Sequence, residues 1–158
     1  MEWSVHQPSA YIRRYWSSLL PDWSCPVQSV IVLLQQAPVP LQGQSGRVEG
    51  VKVLLRDRAL VLGQGAAALL IQQGHSTAVF DPRTGLPVGT APGKRLDDVA
   101  LIQQLLGYGT ARDGHCTGLL HPRWGKSVYP STLLSSALPH QAAIIRATRS
   151  AQRFHDAR

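Results

Sequence analysis

Between Gly114 and Gly125 the chain reads GHCTGLLHPRWG, a cysteine, two histidines and a tryptophan set between glycines. Three chemistries use such residues: zinc ligation, a cysteine nucleophile with a histidine base, and donation to a metal that another group already holds. A structural zinc site takes about four ligands. Cys116, His115 and His121 fall short of that, no Cys-x-x-Cys pair is present, and Cys25 lies at the other end of the chain. If the run is a strand, His115 and Cys116 point to opposite faces, so one of them addresses a given centre. The same alternation groups His121 with His115, Thr117 and Leu119, away from Cys116, which removes the obvious thiol–imidazole pair. A half-buried cysteine beside a hairpin turn is the plain alternative.

The elements around this run must position it. Tyr11, Ile12, Tyr15, Trp16 and Leu19 fall at helical spacing behind Ser9, an N-cap residue, and Pro21 stops the helix. VQSVIVLLQQ, Val27 to Gln36, is β-branched and apolar and predicts a buried strand. Residues 37–50 are rich in proline and glycine and predict a loop, with a helix following over GQGAAALLIQQ and ending at Gly74. STAVF predicts a strand, and DPRTG a turn built on Asp81, Pro82 and Gly85. Residues 94–109 predict a helix with Leu96, Val99, Ala100, Leu105 and Leu106 inward and Gly107 as its stop. Gly114 to Ser135 predicts a hairpin of the central sheet, turning at PRWGK with Trp124 as its anchor. A last helix, from Pro139 onward, carries a cationic face. The order is that of an α+β domain with a mostly antiparallel central sheet flanked by helices.

With 158 residues, 44% hydrophobic and 16% charged, the chain buries a core as one domain, residues 1–158. No apolar run is long enough to cross a bilayer, and MEWSVHQPSAYIRRYW lacks the apolar core of a secretory signal. A cytoplasmic setting follows as the expectation, and two free thiols fit it. The formal net charge of +7 invites a nucleic-acid reading. The cations are nevertheless scattered from Arg13 to Lys126, with a modest cluster at Arg146, Arg149 and Arg153. Without a basic run interleaved with aromatics, they describe a solvated surface or one that meets an acidic partner. GQGAAA, GLPVGTAPGK and GYGTARDG all lack phosphate-loop spacing and read as turns.

LGYGTARDGHCTGLLHPRWG, Leu106 to Gly125, resembles a segment of the C-terminal domain of the methylmalonic aciduria and homocystinuria type D (CblD) family of cobalamin trafficking. The shared pattern is Leu-Gly-aromatic, a short loop, Gly, a cysteine pair, then His, Trp and Gly. VFDPRTGL, Val79 to Leu86, is similar to the family's apolar-Asp-Pro-x-x-Gly-Leu turn, and weaker similarity extends to LLPDWSCPVQSVIVLLQQ and the first helix. The resemblance implies a truncated nitroreductase-like fold without flavin. It also implies a non-enzymatic role: docking a CblC-like partner that carries cobalamin and helping to pass the cofactor on. The family's cobalt contact is a cysteine thiolate in the first position of the pair. This chain has His115 there and keeps only the second cysteine, as Cys116, while the acidic loop has become Ala111, Arg112 and Asp113.

A corrin holds cobalt equatorially, so a protein need supply one axial donor, and thiolate and imidazole both qualify. Cys116 and His115 are therefore the two candidate cobalt ligands. Cys116 is the preferred one if the strand bulges there, with Arg112, Arg123 and Lys126 as supporting cations. Competing expectations are a flavin-dependent nitroreductase-like enzyme and a basic module that binds acidic partners or nucleic acid.

Overall fold

The computed structural model describes residues 1–145, so the expected cluster of Arg146, Arg149 and Arg153 lies outside the described residues. The elements run β1 (Glu2–His6), α1 (Ala10–Leu19), β2 (Ser29–Gln36), α2 (Gly46–Gln72), β3 (Thr77–Val79), α3 (Asp98–Leu106), β4 (Gly109–Asp113), β5 (Cys116–Leu120), β6 (Val128–Ser135) and α4 (Pro139–Ala142). This is an α+β domain. Its main sheet has the order β1-β2-β6-β3 with every neighbour antiparallel, and β4 and β5 form a separate two-stranded sheet.

The apolar run of β2 is continuous because both of its faces are covered. Val30, Val32 and Leu34 pack with Ile12, Leu19, Leu101 and Ile102 beneath α1 and α3. Ile31, one residue out of phase, packs with Leu133, Ala66, Ala67 and Leu70 beneath α2. A period of two thus feeds two cores from one strand. β1 escaped the sequence reading, although Trp3 and Val5 alternate with Glu2, Ser4 and His6 and do pack on the α2 side.

Ser9 caps α1 as expected, its hydroxyl accepting from the Ile12 N–H at 3.2 Å. α2 corrects the expected loop over 37–50: Ser45 accepts from the Val48 N–H and starts a helix of 27 residues. Its apolar residues are spread around the axis, with Leu54 and Val61 exposed, so no single stripe announced it. The helix expected over GQGAAALLIQQ is present as the second half of α2, and GQGAAA does not form a turn. One of its glycines has a packing reason. A Cβ on Gly63 would stand 2.9 Å from Val79 Cγ1, so the bare backbone lets α2 lie close on β3.

α3 is present: of the residues expected inward, Leu96 is buried and Leu105 and Leu106 pack on the core, whereas Val99 is half-buried and Ala100 exposed, and Asp98, Leu101 and Ile102 are the helix's buried residues. The expected hairpin of Gly114 to Ser135 does not form. β5 turns back onto β4, in a register that pairs Asp113 with Cys116 and Gly109 with Leu120. β6 instead pairs with β2 on one side and β3 on the other. The cause is local: Gly114, at φ 58°, takes the first central position of a two-residue turn, where glycine is favoured. No helix among the described residues is long and apolar enough to cross a membrane.

The close approach at Gly63 gives a direct check. Gly63→Leu is expected to destabilise the domain by roughly 1–3 kcal/mol in urea unfolding, since overpacking forces α2 off the sheet. An unchanged midpoint would show that α2 does not seat on Val79.

Candidate functional site

The small sheet packs against α3 and β6, and its tip forms the lip of an open cleft of about 1260 Å³. Its walls are the 41–44 loop, the DPRTG turn, the start of α3, the β4–β5 tip and the first residues of β6. Asp113 Oδ2 accepts from the Gly43 N–H and so ties the tip to the loop. On the far side, Arg56 of α2 grips Asp81 with two hydrogen bonds, Nε to Oδ1 at 2.8 Å and Nη2 to Oδ2 at 2.5 Å. The Arg56 guanidinium holds the Asp81 carboxyl below the usual carboxylate range, against the opposing effect of burial. Asp81 also closes its own turn, accepting from the Arg83 N–H at 2.9 Å, while its carbonyl takes the Gly85 N–H.

Both expected ligands line this cleft, and both are exposed. His115 sits in the turn rather than the strand, so alternation does not separate it from Cys116 as expected. The ladder from Asp113–Cys116 to Gly109–Leu120 runs without a bulge. The expected cations do not gather either: Asp113 is the residue across from Cys116, and the Arg123 guanidinium donates to Glu2. Cys25 and Cys116 are both free thiols. Among the described residues, no group of three or more His, Cys, Asp or Glu is placed to hold a metal ion.

His121 has a different role from any considered in the sequence. It is 4% exposed, stacks on Trp124 at 3.9 Å between centroids and meets Tyr108 edge-on at 5.4 Å. Its Nδ1 accepts from the Arg123 and Trp124 N–H groups, both at 3.2 Å, which leaves the proton on Nε2 to be donated to Glu2 Oε2 at 3.2 Å. His121 thus pins the start of β1 to the turn after β5. Trp124 anchors that turn, as expected, but by stacking on this ring.

The cleft floor holds the residue that sequence reading missed. Asp97 caps α3, its carboxylate accepting from the Ala100 N–H at 3.0 Å. Its neighbour Asp98 is left with no capping role and is 8% exposed, with no hydrogen-bond partner for Oδ1. Burial pushes the Asp98 carboxyl up to about 7. The Thr132 hydroxyl, a near neighbour outside hydrogen-bond geometry, opposes the rise, and the Asp97 and Asp81 carboxylates add to it. The Tyr129 hydroxyl is also pushed up, by burial first and then by the charges of Asp98 and Asp81. The doubled aspartate of RLDDV, one more than a cap requires, was the available signal.

No protein-family model matches the chain, and no curated protein matches it.

Two predictions follow from this geometry. His121→Ala removes the ring that satisfies two backbone donors and Glu2, and should cost about 2–4 kcal/mol in chemical denaturation; a loss below about 0.5 kcal/mol would contradict its pinning role. Asp98 has a folded pKa near 7 against 3.8 in the unfolded chain, so its contribution is complete below pH 3.8 and is lost as pH rises towards 7. Relative to Asp98→Asn, the native protein should lose roughly 1.4 kcal/mol per pH unit across that window and nothing further above it. A difference that does not vary with pH would mean that Asp98 stays ionised.

Proposed function

We propose that this protein is a cobalamin-trafficking adaptor of CblD type, a cytoplasmic protein without catalytic turnover that docks a cobalamin-loaded CblC-like partner. The observation that carries the reading is an exposed cysteine thiol, with a histidine beside it, on a two-residue hairpin turn at the lip of a wide cleft. A thiol so placed can approach one face of a planar metallocycle that stays on another protein. The corrin supplies four equatorial donors to its own cobalt, so one axial atom from Cys116 completes the contact.

The motif resemblance supplies the cargo, and a truncated nitroreductase-like arrangement is the corresponding reading of the α+β fold. Cys116 is the ligand we favour, since a thiolate matches the chemistry of the family. His115 is the rival at the same lip. In this reading the cleft belongs to cargo docking, and neither flavin nor nucleic acid is a ligand. A flavin-dependent reductase would purify yellow and turn over NAD(P)H, and a nucleic-acid module would retain a large ultraviolet absorbance through high-salt washing.

The decisive experiment mixes the purified chain with a cobalamin-loaded partner and follows the corrin absorption bands. The native protein should shift them, Cys116→Ser should abolish the shift, and His115→Ala should preserve it. The reverse pattern moves the ligand to His115. No shift with the native protein rejects direct cobalt contact.

A further inference from the structure

α2 has two apolar faces, and one copy of the chain covers only one of them. Leu55, Ala59, Gly63, Ala66 and Leu70 are buried against the sheet. At 3.6 residues per turn, Gly50, Leu54, Val61, Gly65 and Ala68 lie along the opposite side, and all five are exposed. Leu54 is 71% exposed and Val61 69%, the highest values among the described large hydrophobic residues. Leu54, Val61 and Ala68 recur every seven residues, the spacing that keeps one seam turned towards a partner helix. The glycines beside them keep this face thin enough for close approach. A Cβ on Gly50 would meet nothing, so packing within one copy does not call for glycine at that helical position.

The charges on the same face indicate what covers it. Asp57 and Arg58 flank the seam on opposite sides. Arg58 has no ion pair among the described residues. Asp57, its side chain 62% exposed, meets Arg56 at 3.5 Å, but that guanidinium is already committed to both oxygens of Asp81.

A second α2 laid along this seam can run in either direction. In an antiparallel two-fold pair each flank meets its own kind, Asp57 beside Asp57 and Arg58 beside Arg58. In a parallel two-fold pair each flank meets the opposite flank, so Asp57 of either copy faces Arg58 of the other. The charges therefore suit a second copy of this chain in the parallel direction. Arg47, in the first turn of the same face, meets its counterpart at the mouth of the seam, where a long side chain turns out to solvent. A membrane surface fits less well, because an interfacial helix carries basic residues on its polar flanks and here one flank is acidic.

We propose that the outer face of α2 is a self-association surface, on which two copies pair in parallel about a two-fold axis. Leu54, Val61 and Ala68 lie along that axis, and an Asp57–Arg58 pair closes each flank. Glu49 and Lys52, the α2 residues that line the cleft, are on the other side of the helix, so the pair carries two open clefts. This surface is independent of the cobalamin reading. One helix per copy stays near or below the roughly 1,200 Å² at which stable interfaces begin, so the dimer dissociates at roughly 10–100 µM.

Sedimentation equilibrium of the full chain, taken to about 500 µM, should show a reversible monomer–dimer equilibrium. Leu54→Glu places a helix-forming residue at an exposed site, so it should melt like the native protein and remain monomeric. Asp57→Arg and Arg58→Asp should each weaken association about tenfold, since two attractive pairs become repulsive. Mixed in equal amounts, these two variants should recover it, because every flank is then complementary. Val61→Cys and Ala68→Cys, each made with Cys25→Ser and Cys116→Ser, should both give disulfide-linked dimers under mild oxidation, because positions on the axis face their own copies. An antiparallel pair brings at most one of these two positions to its counterpart. A monomer at every concentration, a dimer that survives Leu54→Glu, no recovery in the mixture, or cross-linking at fewer than both positions overturns the proposal.

Discussion

The Arg56–Asp81 pair holds the frame on which the cleft depends. Asp81 is 7% exposed, so this is not a surface ion pair of negligible worth. Both carboxylate oxygens are engaged by one guanidinium, a planar fork that sets orientation as well as distance. One end belongs to the helix on the sheet's back face, the other to the turn that leaves β3 at its edge. The turn passes the constraint on: the Gly85 carbonyl takes the Leu96 N–H at 2.8 Å and delivers the chain to the start of α3. The position of Asp98 therefore follows from a contact made on another layer of the fold.

That arrangement stores an imbalance. Asp81 is compensated fully and Asp98 hardly at all, although both lie close enough to act on Tyr129. A buried acid without a partner is a cost that a folding protein avoids, as the other polar contacts of this molecule illustrate. Gln35, in the middle of β2, donates to the Leu55 carbonyl at 2.8 Å, and His121 satisfies three neighbours at once. Asp98 Oδ1 shares its lack of a partner with Ser29, Ser131, Thr132 and the Gln35 Oε1, and differs from them in being an acid.

The two sheets divide the labour between rigidity and reach. The main sheet is covered on both faces and carries no candidate ligand. The β4–β5 hairpin is mostly exposed and is held at three places. Leu119 enters the core, Asp113 binds the 41–44 loop, and His121 fastens the following turn to β1. A thiol at its tip can be offered to another molecule without disturbing the core.

Local patterns determined much of this protein. Ser9 as a cap, the apolar run of β2, the DPRTG turn and the stop at Gly107 act over a few residues, and sequence shows such signals directly. His115 and Cys116 stood out by residue type, but their shared exposure at one turn did not, because the sequence placed them on opposite faces of a strand. Tertiary structure decided the rest, because it turned on partners distant in the chain. Whether β5 paired with β4 or β6 was a competition between a two-residue glycine turn and a longer one, and the tighter turn won. The length of α2 was hidden because no stripe of apolar residues announced it, and its seating on β3 depends on the close approach of Gly63 to Val79. Asp98 and Asp97 look alike in RLDDV; Asp97 caps a helix in solvent and Asp98 is buried near Thr132. Their difference is burial, and burial is a property of the assembled fold.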